Sequence, residues 1–334
     1  VNILAVETSC DETAAAVVCD GTTIRASVIS SQIELHRPYG GVVPELASRN
    51  HLQLIEPVIQ DALRQAGLAL TDVDAVAATY GPGLASSLLI GLNAGKGLAL
   101  ALGKPFIGVN HVEAHLYSPL LANHAWDALP MIALIVSGGH TILAHVKAVG
   151  RHEILGQTLD DAAGEAFDKV AKLLGLRYPG GPEVERAALA GNPTAIAFPR
   201  SLLHEDHFNF SFSGLKTAVL YYVRKHPQHQ IPDICASFQE AAVEILVGKT
   251  IRAALETGAR TVSASGGVAI NGRFRASLDA ACRRQGLRLL LAPATLCTDN
   301  AAMIAALAYY KLRDGAASDW SLDVAPSIGL GAAA

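Results

Sequence analysis

The chain is poor in aromatic residues, in charge and in paired cysteines. Aromatics make up 5% of its 334 residues, so its core must be built from aliphatic side chains, alanine and glycine. Charged residues are 17% and hydrophobic ones 51%. Such a chain can bury a large apolar core, which argues against disorder. The five cysteines, Cys10, Cys19, Cys235, Cys282 and Cys297, are odd in number and form no C-x-x-C pair. This speaks against a disulfide scaffold and for a reduced, cytoplasmic protein. No signal peptide and no low-complexity linker are expected. The most apolar stretch, Leu84 to Val109, is broken by Asn93, Lys96, Lys104 and five glycines. It reads as a buried helix plus a strand, with no membrane span. The net charge of −4 gives no global attraction to nucleic acid. Between Gly258 and Cys297, however, six arginines accompany a single acid, Asp279. That segment is either a phosphate-facing patch or the solvated face of a helix around Arg273 to Arg284.

At this length two domains are expected, and the chain repeats itself. Asn2 to Ser9 is an apolar strand ending in small and acidic residues, followed by strands at Thr13 to Cys19 and Thr22 to Ser31. Met131 to Ser137 is again an apolar strand. It is followed by Gly138-Gly139-His140 and by strands at Thr141 to Val146 and His152 to Thr158. Helical pattern follows each set, at Ser48 to Ala66 and Ala162 to Leu174. Two such units predict a duplicated α/β architecture around a cleft, with the turns after the first strands suited to phosphate. Thr261 to Val268 is a further strand, ending in Gly-Gly. A helix beginning near Asn271 would offer its amides to a phosphate, or the Gly-Gly would let a nucleoside lie against the backbone. His204 to Asn209 and Lys225 to Pro232 read as surface loops, and Gly331 to Ala334 as a frayed tail.

Within Gly108-Val-Asn-His-Val-Glu-Ala-His115, two histidines lie four residues apart. On a helix they stack on one face, where both imidazoles reach one metal ion. Spacing alone allows a chance surface pair as well. The buried-looking strand Pro105 to Val109, which runs directly into the pair, favours the metal. The intervening Glu113 points about 200° away from His111 on a helix. A zincin protease needs its glutamate directly after the first histidine, so the pair argues against that activity.

Ten segments in unbroken order resemble the TsaD family of tRNA N6-adenosine threonylcarbamoyltransferases, earlier described as O-sialoglycoprotein endopeptidases. They are Glu7-Thr-Ser-Cys-Asp-Glu-Thr13, the run from His36 to Glu45, Gly81-Pro-Gly83, His111-Val-Glu-Ala-His115 and Ser137-Gly-Gly-His-Thr141. The others are Asp160 to Asp168, Tyr178-Pro-Gly-Gly-Pro182, Phe210 to Lys216, Gly266-Gly-Val268 and Cys297-Thr-Asp-Asn300. The resemblance implies the fold of actin, the heat-shock ATPases and the sugar kinases (ASKHA), with two RNase H-like lobes around a nucleotide cleft. We draw the N-terminal lobe as residues 1–110 plus 300–325 and the C-terminal lobe as 111–299.

The resemblance also implies a reaction: transfer of threonylcarbamoyl from threonylcarbamoyl-AMP to N6 of adenosine 37 in tRNAs reading ANN codons. It implies one divalent metal ion, iron or zinc, on His111, His115 and Asp299. Spacing would not have named Asp299, whose plainer role, like that of Asn300, is to cap the following helix. The acyl-phosphate and AMP are implied to lie against Ile135, Val136, Ser137, Gly138 and Gly139, and the nucleoside against Asp168, Gly181 and Asn271. Family members commonly carry Asp where this chain has Glu185, whose longer side chain is expected to reach the same ribose. Asp168 has a structural alternative, pairing with Lys169 or Lys172. Ser137 lies in no Gly-x-Ser-x-Gly elbow and reads as a phosphate-loop hydroxyl. Asp11 and Glu12 lie in the first loop, which the resemblance brings to the reacting group. Glu12 is the candidate catalytic residue, and one of the two would steer water or relieve the incoming amine of a proton; turn residues of a hairpin are the alternative, above all for Asp11. Lys216 lines the cleft in an unassigned role. The implied partners are tRNA, a TsaB-like paralogue and a TsaE-like ATPase, and the modest net charge suggests that tRNA docking is shared with them. The rival readings are a metallopeptidase, an ASKHA-type kinase or ATPase, and a non-catalytic scaffold.

Overall fold

The structure, a computed structural model, describes residues 1–331; the rest of the expected frayed tail lies outside the described residues. In chain order the elements are β1 (Asn2–Glu7), β2 (Glu12–Cys19), β3 (Thr23–Ser31), α1 (Ile33–His36), α2 (Pro44–Ala66), β4 (Ala75–Gly81), α3 (Ala85–Leu102), β5 (Phe106–Asn110) and α4 (His111–Asn123). Then come β6 (Met131–Val136), β7 (Thr141–Ala148), β8 (Arg151–Gln157), α5 (Ala163–Leu173), α6 (Gly180–Ala188), α7 (Ser213–Lys225), α8 (Ile231–Thr257), β9 (Thr261–Ser265), α9 (Gly272–Gln285), β10 (Arg288–Leu291), α10 (Ala294–Cys297) and α11 (Ala301–Arg313).

The chain forms two compact units. The first joins Val1–Trp126 to the stretch from Thr298 onward, and the second is Asp127–Cys297. This division differs from the one drawn from the sequence at 110/111 and 299/300. It puts His111, His115 and Asp299 together in the first unit, because α11 packs on both α4 and the first sheet.

Each unit holds a five-stranded sheet, ordered β3-β2-β1-β4-β5 in the first and β8-β7-β6-β9-β10 in the second. In each, the second strand runs antiparallel to its two neighbours, while the first, fourth and fifth strands are parallel. The repeat expected from the sequence is therefore a repeat of topology. The inner strands β1, β2, β4 and β6 are buried almost throughout, as sheets covered on both faces require. Leu4, Val6, Ala15, Val17, Val76 and Ala78 form one face of the first sheet and pack in a cluster with α2 and α3. Period-2 alternation sends Ile3, Ala5, Ala14 and Ala16 to the other face, which α11 covers with a row of buried alanines. Small side chains on both partners let helix and sheet approach closely, which is how a core poor in aromatics closes.

The helix in the apolar stretch, α3, is less buried than its sequence suggested. Among the described residues it is the one helix long and apolar enough to cross a membrane, with mean hydropathy 1.4. A third of that window is buried, against β4, β1, β5 and α2. Its glycines explain the inner side: a Cβ on Gly91 would lie 2.4 Å from Thr8 Oγ1, and one on Gly95 3.0 Å from the Ala78 Cβ. Leu89 and Leu100 on the outer side are exposed.

Candidate active site

In the first unit β5 runs without a break into α4. Asn110 caps that helix, its Oδ1 accepting from Glu113 N at 3.1 Å. His111 and His115 therefore fall on adjacent turns of one face, with ring centroids 4.7 Å apart and rings nearly perpendicular. Asp299 comes from just before α11. Its Oδ1 lies 3.4 Å from His111 Nε2 and 3.2 Å from His115 Nε2. The cap of α11 is Asn300, which accepts from Met303 N at 3.0 Å, so Asp299 is left for the histidines. Ligand atoms of all three lie within 4.8 Å of one another. Glu113 points elsewhere, to Lys311 Nζ at 2.8 Å, as the helix phase required.

A shell of oxygen acceptors and hydroxyls stands behind this cluster. Glu7 Oε2 lies 3.0 Å from His111 Nδ1 and also accepts from the Thr79 hydroxyl, while Glu7 Oε1 accepts from Ser9 N at 2.5 Å. Ser9 Oγ lies 3.2 Å from the same Nδ1. The loop after β1 is held there by close packing: a Cβ on Gly83 would sit 2.4 Å from Ser9 O, whose oxygen accepts from Leu84 N at 2.8 Å. A carboxylate on Nδ1 fixes a hydrogen there and aims Nε2 at Asp299, so that an ion bound between them would displace only the Nε2 proton. Metal-ligating histidines are oriented in this way.

The electrostatics match. Burial opposes a charge on His111, but the Asp299 and Glu7 carboxylates hold its pKa well above the usual imidazole range. Burial likewise opposes ionisation of Asp299, yet the two imidazoles hold its carboxyl well below the usual range. Burial, joined by the neighbouring His111 charge, pushes His115 down. The donor set, two imidazoles and a carboxylate with a buried acidic partner, fits a divalent ion. Nearby, burial and the Asp299 and Asp11 carboxylates push Glu12 up to about 10. Glu12 Oε1 accepts from Ser31 Oγ at 3.4 Å.

In the second unit β6 ends at Val136 in a tight turn. Ser137 N donates to His140 O at 2.8 Å, and His140 N donates to Ser137 Oγ at 3.1 Å. The start of α5 abuts this turn: Gly164 N donates to Ser137 O at 3.1 Å, and a Cβ on Gly164 would lie 2.6 Å from that oxygen. Gly266, at φ +92° after β9, likewise has no room, since its Cβ would meet Val136 O at 2.4 Å. By contrast a Cβ on Gly138, Gly139 or Gly181 would touch nothing, so packing does not explain those glycines. Ile135 and Val136 are wholly buried in β6.

Asp168 caps the start of α6, its Oδ1 accepting from Gly180 N at 2.7 Å, and burial raises its pKa despite bonds from the Gly180 and Gly181 amides. Lys169 pairs with Asp161 and Glu165. Asn271 caps α9 through Phe274 N and donates to Gln239 Oε1 at 2.7 Å. Glu185 Oε1 accepts from Gly272 N at 2.7 Å. A carboxylate already fills that helix start, so a phosphate is disfavoured there.

The profile of the TsaD family, tRNA N6-adenosine threonylcarbamoyltransferase, matches residues 23–306. The chain belongs to the TsaD family. Its curated relatives of that name include one from Geobacter sulfurreducens, 55% identical over 324 residues, covering 96% of this chain and 95% of the relative. Another, from Symbiobacterium thermophilum, is 52% identical over 332 residues, covering 98% of this chain and 97% of the relative. The TsaD reaction forms threonylcarbamoyladenosine in tRNA; the protein is a transferase, and the peptidase and kinase readings are not favoured.

Among solved structures, the HypF of T. kodakarensis superposes with a TM-score of 0.65 at 16% identity, over 94% of this chain and 48% of that one. The ROK hexokinase of Thermus thermophilus superposes at 0.53 and 17%, over 94% and 100%. These likenesses establish the ASKHA fold expected from the sequence.

Three arginines of the arginine-rich segment have structural partners. Arg273 pairs with Glu240, Arg283 with Asp279, and Arg275 donates to the Ala269 and Ala292 carbonyls. Lys216, unassigned from the sequence, pairs with Asp161 at 2.7 Å. Its neighbours Ser211 and Ser213 donate to Asp160, which also accepts from the amides of Phe212 and Ser213. The sequence reading missed this latch, and it missed Glu7, Thr79 and His51. A carboxylate inside an apolar strand, Glu7, was the available signal.

Proposed function

We propose that the donor is threonylcarbamoyl-AMP, that the acceptor is N6 of adenosine 37 in tRNAs reading ANN codons, and that one divalent ion, iron or zinc, assists on His111, His115 and Asp299. Two imidazoles and a carboxylate suit these ions better than magnesium or calcium, which prefer all-oxygen sites. Such an ion supplies Lewis-acid polarisation and a fixed place for substrate oxygens. The observation that carries this reading is the convergence of both Nε2 atoms on Asp299, with Glu7 fixing the His111 ring from behind.

The protein's own residues supply the rest. The backbone at Gly138 and Gly139, open to a ligand because a Cβ there would meet nothing, takes the acyl-phosphate and AMP with Ile135, Val136 and Ser137. Asp168, Gly181, Glu185 and Asn271 take the nucleoside, where a carboxylate accepts from ribose hydroxyls. The bond from N6 to the carbamoyl carbon forms as the bond from that carbon to phosphate oxygen breaks, and AMP leaves with the negative charge. Glu12 takes the proton that N6 loses. Its carboxyl is raised by burial and then by the Asp299 and Asp11 carboxylates, and positive charge beside Asp299 would lower it toward the ionised form. An exocyclic amine is a weak nucleophile, so positioning provides much of the rate. A TsaB-like paralogue and a TsaE-like ATPase share the tRNA docking, in the cytoplasm and away from membranes.

The test is to incubate the protein and these partners with threonylcarbamoyl-AMP and unmodified tRNA, then measure the modified nucleoside by mass spectrometry. His111→Ala and Asp299→Ala are expected to abolish transfer, and full activity in both refutes the metal reading.

A further inference from the structure

His51, on the second turn of α2, is wholly buried and belongs to none of the sites above. Its ring makes two bonds to one short segment. Nε2 lies 2.9 Å from the Cys10 carbonyl, and Nδ1 lies 2.8 Å from Thr13 Oγ1. A carbonyl oxygen only accepts, so Nε2 carries the hydrogen; Nδ1 faces the Gln32 NH2 donor as well as the threonine hydroxyl, and accepts. The imidazole is thus neutral and in one tautomer, and burial pushes its pKa down accordingly. The residues it grips, 10 and 13, are the ones immediately before and after Asp11-Glu12. Gln32, just after β3, supports the clamp: its backbone amide donates to Asp11 O at 2.9 Å, and its Nε2 lies 3.3 Å from His51 Nδ1.

We infer that His51 is a positioning residue for the transfer reaction, clamping the backbone on both sides of Asp11-Glu12 so that the Glu12 carboxylate is held for the proton it takes. A buried histidine needed only for packing would find partners anywhere in the core. This one spends both nitrogens on the residues that flank Asp11 and Glu12, the candidate proton acceptor at the start of β2. The inference rests on the reading of Glu12 as the proton acceptor.

The experiment is a double-mutant cycle in the complete transfer assay with partner proteins, tRNA and threonylcarbamoyl-AMP. Metal content and thermal melting are recorded for every variant. His51→Leu keeps the apolar packing and removes both bonds; His51→Gln can donate to the Cys10 carbonyl and accept from Thr13. Thr13→Val removes one anchor at constant shape. His51→Leu is expected to lower kcat by about 100-fold, the order found when a catalytic group is misplaced by about 1 Å, with bound metal unchanged. His51→Gln should recover most of that loss, and Thr13→Val should cost about 3- to 10-fold. In an E12Q background, adding His51→Leu should cost less than about twofold. Full additivity, or a His51→Leu enzyme as fast as wild type, overturns the inference. If His51→Leu does not fold, Thr13→Val decides: wild-type kcat in that variant overturns it. If E12Q alone keeps full activity, the reading of Glu12 fails instead, and the two failures are told apart.

Discussion

Glu7→Gln tests the site through a residue that touches no substrate. Every group facing the Glu7 carboxylate is a donor: Ser9 N on Oε1, and His111 Nδ1 and the Thr79 hydroxyl on Oε2. Glutamine is the same size but has one oxygen and one NH2. With its oxygen toward Ser9, its NH2 faces His111 Nδ1 and forces the ring's hydrogen onto Nε2, where it blocks the metal. With its oxygen toward His111, its NH2 faces the Ser9 amide, and two donors meet in a wholly buried place at a cost of about 1–3 kcal/mol. Losing an outer-shell partner of this kind weakens metal binding by about 10- to 100-fold, or about 1.4–2.7 kcal/mol. The assay is zinc or ferrous iron titration of metal-free protein against a competing chelator, with melting as a folding control. A folded Glu7→Gln protein whose metal affinity lies within twofold of wild type refutes the argument that Glu7 sets the tautomer of His111.

Three other outcomes are expected. Gly181→Ala adds a methyl that meets nothing in the protein, so melting should hold or rise while KM for the adenylate increases; Gly266→Ala, at φ +92° against Val136 O, should instead cost about 1–3 kcal/mol of stability, and the same KM in Gly181→Ala as in wild type removes that glycine from the nucleotide site. Asp160→Asn should cost about 1 kcal/mol, solvent screening included. Burial raises Asp160, but bonds from Ser211, Ser213 and the Phe212 and Ser213 amides leave it below its ordinary value, so its stabilisation is full above the unfolded pKa of about 3.9 and is lost as pH falls through the folded one. The melting gap between wild type and variant should therefore close below about pH 4, and a gap that persists there contradicts the latch.

Sequence pattern revealed much of this fold because its strands are apolar runs that stop abruptly. Met131 to Val136 ends where Ser-Gly-Gly begins, and the strand after Thr261 ends where Gly266 must take a left-handed φ. Helix starts were less legible. The second helix begins at Pro44, four residues before its apolar period shows, because proline suits the first helical position. In the site, the His-x-x-x-His spacing pointed to a metal only together with the strand that runs into it, while Asp299 came from the family resemblance alone, since nothing local joins residues 184 apart. His51 was hidden for another reason: one histidine on an amphipathic helix has no pattern, and its meaning comes only from the two partners it meets across the fold. Composition could not divide the arginines between Gly258 and Cys297: it counts charges without showing that Arg273 and Arg283 on α9 pair with Glu240 and Asp279, or that Arg275 is held by backbone carbonyls.

The return of α11 to the first unit also bears on how the molecule is made. His111 and His115 leave the ribosome well before Asp299, and the alanine-lined helix that covers the first sheet follows Asp299 directly. A nascent chain stopped within the second unit thus has two imidazoles, an uncovered sheet and no third ligand. High-affinity ion capture belongs to a chain synthesised through α11, and because only the folded form holds the ion well, capture at 100 times Kd adds about 2.7 kcal/mol to that form. An ion held by the proposed ligands would then act as a seal on completed synthesis, applied once the last helix has docked.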